Sequence, residues 1–134
     1  MKFSSKARYG LRAVCELGKN FESEIPVSNS KLASLSRVSE PYLEKIMSVL
    51  KKSNIVISKQ GLNGGYVLSK SPSELTIGEI LTALEGNLYT SDCVENKCNV
   101  KDCPNRNVFS YIYLTINQTL NNITLQDVLK NKMF

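Results

Sequence analysis

Apolar residues recur every three or four positions through the first fifty residues, in three separate runs. The first run covers residues 4–20. Tyr9, Ala13, Leu17 and Phe21 recur at spacing four, Leu11 and Val14 lie beside them, and Ser4 or Ser5 stands where an N-cap belongs. Residues 22–27 read as a connector closed by Pro26. A short second helix follows, capped by Ser28 or Ser30, with Leu32, Ala33 and Leu35 as its inward side. Residues 36–39 read as a tight turn. Ser39, Glu40 and Pro41 then form a helix start, a hydroxyl cap followed by a proline in the first turn, where its missing N–H is no loss. The third helix is expected to run to about Lys52, with Tyr42, Leu43, Ile46, Val49 and Leu50 facing inward.

The period then changes. Ile55, Val56 and Ile57, within residues 54–58, are β-branched and strand-like. Residues 59–65 hold Gly61, Asn63, Gly64 and Gly65, and 66–68 form a second short strand, so the segment reads as a β-hairpin with Lys59 and Gln60 at its tip. Thr76 caps a helix over 77–85 that Gly86 ends. Residues 87–107 form a polar loop holding three cysteines. From about Asn107 to Asn121 a helical stripe returns through Phe109, Ile112, Tyr113, Ile116 and Leu120. Thr124 caps a last short helix over 125–129.

Three helices followed by a hairpin is the order of a winged helix-turn-helix. The expected fold is mainly α with a small β-hairpin: a winged helix-turn-helix over residues 1–86, a cysteine-containing sensor loop over 87–107, and a dimerisation helix with a C-terminal helix over 108–134. The stripe from Phe109 to Leu120 has no obvious partner in so small a chain, which suggests a second copy of it.

Charge sharpens the picture. Residues 1–70 carry twelve Lys and Arg against five acids, a net of +7, while residues 71–134 carry −2. A basic half joined to a mildly acidic one suits a polyanion-binding module attached to something with a different task. On the outward side of helix three, Ser39, Glu44, Lys45, Ser48, Lys51 and Lys52 suit phosphates and base edges. The chain has no His, so it lacks the commonest general base and no Ser/His/Asp or Cys/His arrangement exists within it. No enzyme constellation is visible. Neither a secretory leader nor a run of roughly 18 apolar residues appears, so a cytoplasmic protein without a membrane partner is expected.

Cys93, Cys98 and Cys103 have four residues between each pair. In a cytosolic chain such a cluster is more often metal-binding or redox-active than a disulfide framework. Three thiolates nearly satisfy an iron–sulfur cluster, whereas structural zinc requires four ligands. Cys15, beside the stripe of helix one, reads as a small buried hydrophobe.

Several segments resemble one family. They are residues 5–13 (Ser-Lys-Ala-Arg-Tyr-Gly-Leu-Arg-Ala), 41–46 (Pro-Tyr-Leu-Glu-Lys-Ile), 61–68 (Gly-Leu-Asn-Gly-Gly-Tyr-Val-Leu), 77–80 (Ile-Gly-Glu-Ile), the three-cysteine loop, and 121–125 (Asn-Asn-Ile-Thr-Leu). Their joint order resembles the bacterial Rrf-two family of transcription regulators. The resemblance implies a homodimer on a partly palindromic double-stranded DNA operator, helix three in the major groove and the wing at the minor groove. It puts Tyr42, Glu44, Lys45, Lys59 and Gln60 at or near DNA. It also implies that Cys93, Cys98 and Cys103 hold an iron–sulfur cluster, [2Fe–2S] or [4Fe–4S]. This chain departs from the family in two ways. The cysteines are closer together than usual, and Arg106 and Arg8 stand where branches of the family place a His or an acidic fourth ligand. Fourth-ligand candidates are Asp102, Glu95, Asn107, Glu16 of the partner subunit, a backbone group or a small exogenous thiol. Alternatives are a metal-free thiol sensor, a regulator of cysteine metabolism controlled by a partner protein, and an electron-transfer protein, the last leaving the basic winged half unexplained.

Overall fold

The computed structural model describes residues 2–88 and 91–132. Residues 89 and 90 of the expected loop and 133 and 134 of the expected C-terminal segment lie outside the described residues. The elements are α1 (Ser5–Lys19), α2 (Asn29–Ser36), α3 (Glu40–Lys52), β1 (Val56–Lys59), β2 (Gly65–Leu68), α4 (Ile77–Glu85), α5 (Pro104–Asn122) and α6 (Leu125–Leu129). The protein is mainly helical with one two-stranded antiparallel hairpin, as expected.

Capping chemistry sets most of these boundaries. Ser4, Ser28, Ser39, Thr76 and Thr124 each accept a hydrogen bond from a backbone N–H in the first turn. Thr76 with Glu79, and Thr124 with Asp127, close full capping boxes. Arg37 ends α2 in the left-handed region at φ 58°, which turns the chain into α3.

The core lies where α1, α3 and α4 cross. Ala13, Val14, Leu17, Leu43, Ile46, Met47, Leu50, Ile80 and Leu84 are buried there. Gly10 makes this crossing close: a Cβ on it would stand 2.6 Å from Leu84 Cδ1 and 3.2 Å from Ile46 Cγ2. The body is closed from the far end of the chain by α6. Leu125 is fully buried, its backbone N–H bonds to Leu75 O at 2.8 Å, and its side chain lies over Gly18. The C-terminal helix thus belongs to the winged-helix body in packing.

Several details differ from the sequence expectation. Leu35 is exposed, because the short α2 offers its buried side through Leu32, Ala33 and Ser36. Phe21 falls in a 3₁₀ turn (Phe21–Ser23) rather than on α1. The first strand begins at Val56 and includes Lys59, which pairs with Gly65, so Lys59 sits on the strand and the tip is residues 60–64, with Gln60 in it as expected. Helix α5 starts at Pro104, using it at N1, which makes Cys103 the N-cap residue.

Candidate DNA interface and cysteine loop

Three side chains on two helices aim α3. Arg12 on α1 donates to Ser36 O at 3.0 Å, tying α1 to the end of α2, and its guanidinium lies 5.5 Å from the centre of the Tyr9 ring. Tyr9 meets Tyr42 edge to face, with centroids 6.2 Å apart at 85°. The Asn29 side chain donates to Glu40 O at 3.3 Å, holding the start of α3 against α2. Sequence reasoning missed this brace of Tyr9, Arg12 and Asn29, because three polar or amphipathic side chains on two helices show no periodic signal.

The outward face of α3 is as the pattern suggested. Glu44, Lys45, Ser48, Lys51 and Lys52 are exposed, and Tyr42 is half-buried against Tyr9. Ser39 is exposed but its hydroxyl oxygen is engaged as the cap, accepting from Tyr42 N–H at 3.4 Å. It keeps only its O–H for a phosphate.

The wing pairs Val56 with Leu68, Ile57 with Val67, Ser58 with Tyr66 and Lys59 with Gly65. Val27 docks on its other edge: Val27 N–H bonds to Tyr66 O at 3.0 Å and Tyr66 N–H to Val27 O at 2.9 Å. Lys59 and Gln60 are exposed. Burial, and then the charge of Glu44, push the Tyr66 hydroxyl above its ordinary range. Glu44 of α3 thus lies near enough to Tyr66 of the wing for its charge to be felt there.

The cysteine loop leaves α4 at Gly86 and enters α5 at Cys103. Cys93, Cys98 and Cys103 are free thiols, each half-buried. Arg106, on the first turn of α5, reaches back to hold the loop, donating to Cys98 O at 3.1 Å and Val100 O at 3.4 Å. Lys97 N–H and Cys98 N–H both bond to Asp92 O, forming a turn that Glu95 and Lys97 bridge with an ion pair. By donor type and number these thiols fit three positions of a sulfur-ligated cluster. Among the described residues no three His, Cys, Asp or Glu side chains converge on one point, so the loop has to tighten before all three sulfurs serve one group. Cys15 is half-buried on α1; burial pushes its thiol up, with Glu16 adding to the effect and Lys19 opposing it.

No described helix is long and apolar enough to cross a membrane. Helix α5 has no fully buried residue: the expected stripe of Phe109, Ile112, Tyr113, Ile116 and Leu120 is half-buried, with Leu120 packed against the core of its own chain, while Val108, Tyr111 and Leu114 are 49%, 70% and 55% exposed.

A braced outward helix beside a basic hairpin defines a winged-helix DNA-binding regulator. The profile of the Rrf2 family, described as "Iron-dependent Transcriptional regulator", matches residues 3–131, and the chain belongs to that family. It is 35% identical over 128 residues to the HTH-type transcriptional regulator CymR of Bacillus subtilis (strain 168), covering 96% of this chain and 89% of that protein. It is 31% identical over 134 residues to the regulator IscR of Pectobacterium carotovorum subsp. carotovorum (strain PC1), covering 98% and 81%. Among solved structures it is similar to T. potens IscR, with a TM-score of 0.80 at 33% identity over 99% of this chain and 89% of that one. It is also similar to CymR (YrzC), the global cysteine regulator of B. subtilis, with a TM-score of 0.82 at 32% identity over 99% of each chain. These relatives are transcription regulators, and so is this protein; it is not an enzyme.

Proposed function

We propose that the protein is a cytoplasmic homodimer that binds a double-stranded operator and senses iron–sulfur or redox status through Cys93, Cys98 and Cys103. Residues 1–86 read DNA, residues 87–107 sense, and residues 108–134 dimerise and close the fold. On DNA, Tyr42, Glu44, Lys45 and Ser48 meet base edges, whereas Ser39, Lys51, Lys52, Lys59 and Gln60 meet the backbone and the minor-groove wall. Dimerisation uses the apolar residues of α5, the half-buried stripe of Phe109, Ile112, Tyr113, Ile116 and Leu120 together with Val108, Tyr111 and Leu114, which stand in water in the single chain.

The observation that carries the sensor reading is the loop's connectivity: three free thiols on one segment whose two ends are the C-cap of α4 and the N-cap of α5. An iron–sulfur cluster there would supply a soft, oxidisable group whose loss or change of state alters the length the loop must span. The protein's own residues carry that change onward. Glu85, the last residue of α4, accepts from Ser4 N–H at 2.7 Å and so ties α4 to the cap of α1. Leu84, one residue earlier, fills the notch of Gly10 beside Ile46 of α3. A pull on the loop thus acts on the crossing that aims α3.

The family's "iron-dependent" description and the thiol count both support this reading. The metal-free alternative, in which the thiols pair under oxidation or a partner protein controls a regulator of cysteine metabolism, draws on the separation of the thiols and on the similarity to CymR. Iron and acid-labile sulfide content, with a visible spectrum, on protein purified without oxygen decides between them. Near-equal iron and sulfide that disappear in Cys98→Ser support the cluster. A colourless, iron-free protein moves the sensing to thiol chemistry or a partner and leaves the DNA-binding reading standing.

A further inference from the structure

Behind the wing lies a cleft of about 370 Å³, which shares only Lys59 with the proposed DNA interface and nothing with the cysteine loop. The end of α1 and the 3₁₀ turn after it form one wall, through Phe21 and Ile25. The outer face of the hairpin forms the other, through Ile57 and Val67, which are cross-strand partners. Ile25 is 68% exposed and Ile57 43%, so the chain leaves apolar surface facing this opening uncovered. Two charges of opposite sign stand at its edge. Glu24 and Lys59 both line the cleft and are exposed, and neither side chain has a hydrogen bond or ion pair among the described residues.

We infer that this cleft binds a free α-amino acid with an apolar side chain. The reasoning is one of charge complementarity. A purely apolar ligand would leave both charges unanswered, a carboxylic acid would face Glu24 with nothing to offer it, and an amine would do the same to Lys59. A zwitterion answers both, with its ammonium at Glu24, its carboxylate at Lys59 and its side chain between Phe21, Ile57 and Val67. The volume sits at the small end of ligand pockets, roughly 300–1,000 Å³, which suits a metabolite rather than a peptide.

The site also has a route to DNA. Lys59 belongs to the wing, and a carboxylate held on its ammonium removes one cation from the DNA-facing surface. Binding of the amino acid therefore weakens DNA affinity and lowers the slope of log K against log salt by roughly 0.9, the share of one phosphate contact. Only this consequence rests on the proposed DNA interface; occupancy of the cleft does not.

The test is an NMR titration of the full chain, without DNA, using L-leucine as probe. The controls are isocaproate, which lacks the ammonium, and isoamylamine, which lacks the carboxylate. Saturable shifts at Phe21, Ile57 and Val67 are expected, with a Kd on the order of a millimolar and about tenfold weaker binding of each control. Glu24→Gln, an exposed change away from the DNA interface, should cut leucine to the affinity of isocaproate while leaving DNA affinity unchanged. Absence of saturable shifts with L-leucine, L-methionine and L-phenylalanine, or equal binding of leucine and both controls, overturns the proposal. Cleft shifts in a protein that fails to bind DNA would instead uphold the site and sink the DNA interface.

Discussion

Replacing Gly65 with alanine tests the wing most directly. Gly65 begins β2 at φ +151°, within the region that L-residues rarely adopt. A Cβ there would lie 2.2 Å from Val27 O, 2.4 Å from Val27 C and 2.7 Å from Ser28 N. All three are backbone atoms, so no side-chain rotation relieves the clash. The edge strand has to separate, and with it the two hydrogen bonds between Val27 and Tyr66. Each such bond contributes about 0.5–1.5 kcal/mol net, and the backbone strain costs about 1–3 kcal/mol. Together the loss is about 2–6 kcal/mol, a large fraction of the 5–15 kcal/mol that holds a typical domain. Urea unfolding followed by circular dichroism should show the midpoint falling accordingly. Gly61→Ala is the control: its φ of +104° is equally unfavourable to alanine, but nothing lies within 4 Å of the added Cβ. It should lose only the strain. If Gly65→Ala were no less stable than Gly61→Ala, the Val27–Tyr66 junction would not be what holds the wing to the body.

Four further outcomes follow from the same geometry. Glu44→Ala should relax base preference more than it weakens total binding, since an acid gains nothing from phosphates; unchanged preference at every position of a randomised operator would misplace α3. Lys51→Ala or Lys52→Ala should weaken binding to all sequences and reduce the salt slope by roughly 0.9, read by fluorescence anisotropy across a salt series. Leu114→Glu puts a charge on the exposed side of α5 and should convert dimer to monomer in sedimentation with the circular dichroism spectrum kept; a persistent dimer would remove α5 from the interface. The pH profile should have two flanks. Burial raises the Cys15 thiol above its ordinary 9.0, so the folded state keeps a proton the unfolded state releases, and stability falls as pH rises past 9 unless Cys15 is replaced by alanine. Hydrogen bonds from Ser4 hold Glu85 below its ordinary 4.5, so the tie between α4 and α1 weakens as pH falls below that value, and Glu85→Gln should flatten this acid flank.

The elements legible in the sequence are those with local causes. Every helix start that a Ser or Thr marks is a helix start in the structure, because the cap and the first turn are made within four residues. The inward stripe of α3 was legible for the same reason, apart from Met47, which is as buried as Leu43. What was not legible depends on partners far along the chain. Gly10, Gly18 and Gly78 look like helix weaknesses, yet each is a notch, filled by Leu84, by Leu125 and Leu129, and by Asn121 respectively. Leu35 carries a core residue's side chain on a helix too short to bury a third leucine-sized position. The residues proposed to face DNA stand out by their charge and outward placement, whereas the brace behind them, from Tyr9, Arg12 and Asn29, exists only once α1 and α2 have met.

The position of α6 bears on how the parts of the chain act on one another. Its sequence separates it from the winged body by the whole of the cysteine loop and α5. Yet Thr76 and Thr124 bridge, Ile77 N–H bonds to Ile123 O at 2.8 Å, and Leu125 is buried under α1. The loop and α5 therefore form a closed excursion whose start, at Gly86, and whose end, at Ile123, are both fixed to α4. Such an excursion cannot relieve a change in the loop by swinging free at a chain end. Whatever part of a shortening among Cys93, Cys98 and Cys103 the loop itself does not absorb would be taken up by rotating α5 on α4 about the Gly78–Asn121 contact, or by moving the end of α4 against Ser4 and Gly10. The first motion would alter the face that the proposed dimer offers to its second subunit and the second would alter the setting of α3, so on the proposed function the covalent path of this chain would carry a chemical event at the three cysteines to both surfaces assigned to DNA recognition.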